Sequence, residues 1–149
     1  MTTKQAIRKV LSNTDRFIVG DMDGQKWYCP DGYIATTTDI YSEYKPKKSQ
    51  QFNYDVRLET ARQAKMNGIF DKLADSYYNP ITNSVKITDS YYTTLSNLSM
   101  SVDVNSDYYE FMQVLYPNAR FELDSKYWYS PVKVIENNKL VALIMPLKK

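Results

Sequence analysis

The sequence predicts an α+β fold, a single domain of antiparallel β-sheets with two to three helices over residues 1–149. Three observations predict it. Strand-like runs follow one another through turns instead of alternating with helices, which argues against a parallel β-α-β sheet. Helical periodicity is confined to residues 3–12, 55–75 and 108–115. The chain closes on an apolar hairpin, residues 130–147, in which Asn137-Asn138 separates two β-type runs. Asparagine tolerates the left-handed conformation that a tight hairpin turn requires.

Taken in order, residues 3–12 place Ile7, Val10 and Leu11 on one helical face, and Lys4, Arg8 and Lys9 lie elsewhere. Thr2 or Thr3 is the candidate cap. A meander over 16–41 follows. Arg16–Gly20, Gln25–Cys29 and Tyr33–Tyr41 read as strands, with turn signals at Asp23-Gly24 and Pro30-Asp31-Gly32. Residues 42–54 carry Pro46 among charged residues and read as a loop. Residues 55–75 give the strongest helical pattern, with Leu58, Met66, Ile69, Phe70 and Leu73 on one side. Gly68 weakens that pattern without ending it. Asn79-Pro80 ends the next segment. Ser84–Thr88, Tyr91–Leu95 and Leu98–Val104 read as strands. Asp107 is expected to cap a helix from Tyr108 to Leu115, with Glu110 completing a capping box, and Pro117 stops it. Ala119–Leu123 alternates as a strand, and Asp124–Tyr129 reads as an aromatic turn. In the closing hairpin, Leu140 to Leu147 is apolar at almost every position, as a strand covered on both faces would be.

Composition narrows the chemistry. The chain is 43% hydrophobic and 24% charged, with a net charge of +2. Near-neutral charge makes no strong claim on nucleic acid or anionic membrane. There is no continuous apolar run long enough for a membrane span. The amino terminus lacks the apolar core of a secretory signal, and the lone Cys29 cannot form an internal disulfide, so a reducing cytoplasm is the expected location. Histidine is absent, which removes the commonest general base, the commonest zinc ligand and every Ser-His or Cys-His pair. With four glycines and neither phosphate-binding glycine motif, no cofactor is expected.

The remaining candidates for chemistry each have a plainer role. Asp21-Met22-Asp23-Gly24 resembles the start of a calcium loop but lacks its later acidic ligands, and suits a hairpin turn. Cys29 has no histidine to activate it and reads as a structural thiol. Asp39, Asp103, Asp107, Glu110 and Asp124 have no spacing that pairs them as acid and base. No catalytic or metal-binding constellation emerges, and the expectation is a protein that is not an enzyme. Arg62, Lys65 and Lys72 share one edge of the 55–75 helix, and Lys45, Lys47 and Lys48 flank Pro46 in the loop; both are candidate DNA contacts and also plausible solvated surfaces. The fourteen tyrosines include the pairs Tyr77-Tyr78, Tyr91-Tyr92 and Tyr108-Tyr109. In alternating segments one member of each pair faces the core and the other solvent. With Trp27 and Trp128, the outward members suit base stacking or a protein-binding surface.

The last third of the chain resembles the end of a bacterial sliding-clamp domain, the DNA polymerase III β family. The residues that carry the resemblance are the helix Tyr108–Leu115, the strand around Arg120-Phe121-Glu122-Leu123, the segment Ser130-Pro131-Val132-Lys133-Val134-Ile135, and the closing run Leu140–Leu147 with its Met145-Pro146. Ala35-Thr36-Thr37-Thr38-Asp39 is similar to an early strand of the family, with two additional threonines. The resemblance implies outer antiparallel sheets and two inner helices, here 55–75 and 108–115. It implies sequence-independent DNA contact through Arg62, Lys65 and Lys72. It implies a pocket for short peptides of replication and repair proteins that includes Met145, Pro146 and Leu147. Clamp chains carry more than one such domain, so this chain would act as a homo-oligomeric ring or as a clamp-like domain that does not encircle DNA. The expected function is non-enzymatic binding in DNA replication or on replication proteins. The alternative is a small phage or prophage interaction protein that binds and modulates a host protein.

Overall fold

The computed structural model describes residues 5, 18–22, 25–29, 33–37, 77–87 and 91–147. Ten strands and a helix are defined there: β1 (Ile18–Met22), β2 (Gln25–Cys29), β3 (Ile34–Thr36), β4 (Tyr78–Pro80), β5 (Asn83–Lys86), β6 (Tyr92–Ser96), β7 (Ser101–Asn105), α1 (Ser106–Leu115), β8 (Arg120–Asp124), β9 (Val132–Glu136) and β10 (Lys139–Ile144). They form a seven-stranded sheet in the order β1-β2-β3-β10-β9-β8-β4 and a three-stranded sheet, β5-β6-β7. Every pairing is antiparallel. The expected antiparallel α+β architecture is present. Of the expected helices, α1 is described in full. The 55–75 helix and the 42–54 loop lie outside the described residues, as does the 3–12 helix except for Gln5, which is helical and exposed.

The closing hairpin forms as its residues dictate. Asn137 and Asn138 have φ of 54° and 60°, the left-handed pair that lets a two-residue turn follow the twist of its strands. Lys139 and Glu136 face each other at its mouth. The register shifts between Leu140 and Ala142, so Val141 is a bulge, and its carbonyl accepts from both Thr37 N (3.0 Å) and Thr37 Oγ1 (2.9 Å). Ala142, Leu143 and Ile144 are completely buried, as a strand covered on both faces requires.

The register puts Ile34, Thr36, Ala142, Ile144, Val132, Val134, Phe121 and Leu123 on one face of the large sheet. That face meets α1 and the inner residues of the small sheet, Leu95, Val102 and Val104, in one core. Helix α1 packs on β6, β7 and β10, touching both sheets, which is why Tyr109, Phe111, Met112 and Tyr116 are all buried although they span more than one helical face. The Tyr109 and Phe121 rings lie 4.9 Å apart and tilted at 54°. Thr93 Oγ1 and Ser106 Oγ share a buried hydrogen bond of 2.7 Å that ties β6 to the first turn of α1.

Several sequence expectations are corrected. The cap of α1 is Asn105, whose Oδ1 accepts from Asp107 N (2.9 Å) and Tyr108 N (3.3 Å). Asp107 lies inside the first turn, and Glu110 pairs with Lys86 at 3.1 Å instead of closing a capping box. The helix starts two residues earlier than expected because an asparagine already ends β7 and satisfies the first free N–H groups. The strand expected from Leu98 begins at Ser101. Asn97 Oδ1 accepts from Ser99 N and Met100 N, and this side-chain turn leaves Leu98 96% exposed. Strand β4 runs through Asn79-Pro80, which the sequence marks as a break. The Tyr77–Ser125 and Ile81–Phe121 bonds put the Pro80 nitrogen on the outer side of this edge strand, where no N–H is needed.

Candidate functional site

The carboxyl-terminal segment links the two sheets. Met145 N donates to Tyr33 O (2.7 Å), extending the β3–β10 pairing, and Leu147 N donates to Asp103 O on β7 (2.8 Å). Pro146 stands at the changeover, where it brings no N–H that would lose a partner. Chain continuity makes a second link, where Ile81 N donates to Phe121 O and the adjacent Thr82 N donates to Ser96 O. The small sheet is thus held against the large one at both ends.

Leu147 reaches a cleft of about 390 Å³, lined among the described residues by Ser101, Val102, Asp103, Trp128 and Leu147. Trp128 is 43% exposed and Leu147 37%, so two large apolar side chains line this cleft and remain open to solvent. Val102 is buried. Asp103 supplies a carboxylate, which accepts from Thr94 Oγ1 at 2.7 Å.

The turn that presents Trp128 is set from beneath. Asp124, the last residue of β8, is buried; its Oδ1 accepts from Lys126 N (2.9 Å) and its Oδ2 from Ser130 Oγ (2.7 Å). This carboxylate pins both ends of the 125–130 turn. Next to it, the Tyr127 and Tyr129 rings lie 5.4 Å apart, and Trp128 meets Tyr129 edge-on at 5.9 Å. Lys126 Nζ lies 4.9 Å from the Tyr77 ring centroid and 5.3 Å from that of Tyr127. Lys133 Nζ stands 4.0 Å from that of Tyr78.

Of the predicted pocket residues, Leu147 lines the cleft, and Met145 and Pro146 are half-buried in the segment leading to it. The predicted DNA contacts Arg62, Lys65, Lys72, Lys45, Lys47 and Lys48 lie outside the described residues, as does Asp39. Asp103, Glu110 and Asp124 are each engaged with a different partner, Thr94, Lys86 and Ser130 respectively. Asp21 and Met22 end β1, and Asp23 and Gly24 lie outside the described residues. Cys29 ends β2 opposite Ile18. Among the described residues no group of three His, Cys, Asp or Glu side chains is placed to hold a metal ion, and no helix is long and apolar enough to cross a membrane. Tyr91 is 85% exposed beside half-buried Tyr92 at the start of β6, whereas Tyr109 is buried beside half-buried Tyr108 on helix α1, where strand alternation does not apply.

Sequence reasoning missed the β7 side of the cleft. Ser101–Val104 alternates visibly, but no local signal says which strand edge remains open. Nor does the sequence bring Trp128 to Leu147, nineteen positions later in the chain. No protein-family model matches this chain, and no curated protein or solved structure gives a significant match.

Proposed function

We propose that this chain is a non-enzymatic, clamp-like binding domain that acts on replication proteins by holding a short peptide in the cleft between β7, the 127–129 turn and Leu147. One observation carries the reading. Leu147, one of the three residues that the sliding-clamp resemblance assigns to a peptide pocket, lines a cleft with an exposed tryptophan and a buried valine. Val102, Trp128 and Leu147 beside the polar Ser101 and Asp103 suit capture of one or two apolar side chains together with a polar neighbour. Trp128 is the kind of residue that dominates such interfaces. Peptides selected on the wild-type chain from a display library test it. Binding should blue-shift Trp128 emission and weaken at least tenfold in Leu147→Ala and Trp128→Ala, with the fold intact by circular dichroism. Selected peptides that bind both variants as tightly as wild type would reject the cleft.

Sequence-independent DNA contact as a ring of copies is the other half of the clamp reading. Light scattering and salt-dependent binding to duplex DNA test it, and a monomer without salt-dependent binding would reject the ring. The phage or prophage interaction protein remains the second reading. It is favoured by the solvent-facing group of Tyr77, Lys126, Trp128 and Tyr129 around the 125–130 turn. In that case one stoichiometric host partner would be lost on Tyr77→Ala and Tyr129→Ala.

A further inference from the structure

The outer edge of β7 has a defined hydrogen-bonding phase. Asn97 N donates to Met100 O and Ser106 N donates to Tyr91 O. With the register Leu95–Val102 and Thr93–Val104, those bonds fix Met100, Val102, Val104 and Ser106 as the positions that bond across to β6. Ser101 and Asp103 therefore turn their backbone groups away from β6. The bond from Leu147 N to Asp103 O shows this phase directly, since that carbonyl points outward. Leu147 thus begins a pairing on the β7 edge. Among the described residues, nothing continues it at Ser101.

The other sheet edges at this end are blunted. Strand β4 carries Pro80, and β5 carries Lys86, two residues that discourage edge pairing. Strand β7, Ser101-Val102-Asp103-Val104-Asn105, carries neither residue type. Its edge opens onto the cleft that also holds Trp128 and Leu147.

We propose that β7 captures an extended peptide segment of a partner protein by strand addition. The peptide backbone pairs with Ser101, an apolar side chain enters the cleft between Trp128 and Leu147, and a lysine or arginine lies beside the Asp103 carboxylate. This rests on the peptide-binding reading above and adds its mode and partner chemistry. Main-chain pairing supplies affinity, and the alternate side chains supply selectivity. A cationic residue is the occupant that a carboxylate at a strand edge favours.

The test uses fluorescein-labelled heptapeptides selected from a random display library on the full wild-type chain. Each peptide is resynthesised with single backbone N-methyl groups at successive positions. Strand addition predicts at least tenfold loss at the one position whose N–H reaches the Ser101 carbonyl and little change at the positions on either side, because adjacent N–H groups of an extended peptide point away from the partner strand. Ser101→Pro should weaken binding at least tenfold without moving the melting temperature, since the lost N–H lies outside the β6 ladder. Asp103→Asn should weaken lysine-containing peptides severalfold and flatten their salt dependence. Uniform tolerance of N-methylation, with binding still lost in Trp128→Ala, would overturn strand addition and leave the cleft reading standing. Failure to select any peptide that depends on Trp128 would overturn both. Tighter binding after removal of Lys148 and Lys149 would assign the edge to the chain's own terminus. Self-association abolished by Ser101→Pro would assign it to a second copy. Either result overturns the partner peptide.

Discussion

Ser130→Ala isolates the bond that shapes the aromatic turn. Ser130 Oγ donates to Asp124 Oδ2 at 2.7 Å, and the two residues are 4% and 2% exposed. Water cannot replace the lost donor at that depth, so the carboxylate keeps only its bond from Lys126 N, at 2.9 Å. A hydrogen bond to a charged acceptor contributes about 1.5–3 kcal/mol, and the middle of that range, ~2 kcal/mol, is the expected loss. For a chain of this size such a loss lowers the melting temperature by roughly 4–8 °C. Urea unfolding followed by circular dichroism measures the energy. Trp128 emission, compared in a Trp27→Phe background, reports the turn itself. A cycle with Asp124→Asn should give a coupling of at least ~1 kcal/mol, because the two side chains meet directly. A loss below ~0.5 kcal/mol in Ser130→Ala would show the turn to be held by something other than this bond, and the reasoning would fall.

Three further outcomes follow from single residues. Asn105→Ala should cost about 1 kcal/mol in urea unfolding, and Asp107→Ala less, because Asn105 carries the cap. Asn138→Val should cost about 1–2 kcal/mol by forcing a β-branched residue to a φ of 60°, with Asn138→Gly neutral or slightly stabilising in the same assay. Phe111→Ala should cost about 3–5 kcal/mol by emptying the space between the sheets, whereas Glu110→Ala, which breaks a partly exposed ion pair with Lys86, should change the unfolding midpoint little.

Local chemistry made much of the fold legible. The Asn137-Asn138 turn, the alternation in β6, β8 and β9, and the stop at Pro117 each follow from a few neighbouring residues. The failures were also local, and each has a physical cause. Asn105 competed with Asp107 for the cap. The Asn97 side chain diverted the chain at Leu98 before the strand began. Proline proved compatible with β4 because the register aimed its nitrogen outward, a fact that exists only once β8 lies beside it.

The candidate site divides the same way. The sequence by itself determined the closing hairpin, its apolar strand and, through the sliding-clamp resemblance, the interest of Met145, Pro146 and Leu147. It determined that no histidine is available for chemistry. Tertiary structure alone decided that β3 lies against β10, that Asp124 is a buried anchor and not a surface acid, and that Leu147 lines one cleft with Val102 and Trp128. The physical reason is range. Turn conformation, capping and alternation are set within a few residues, whereas an open strand edge or a cleft exists only when segments distant in the chain are brought together by burial of a shared core.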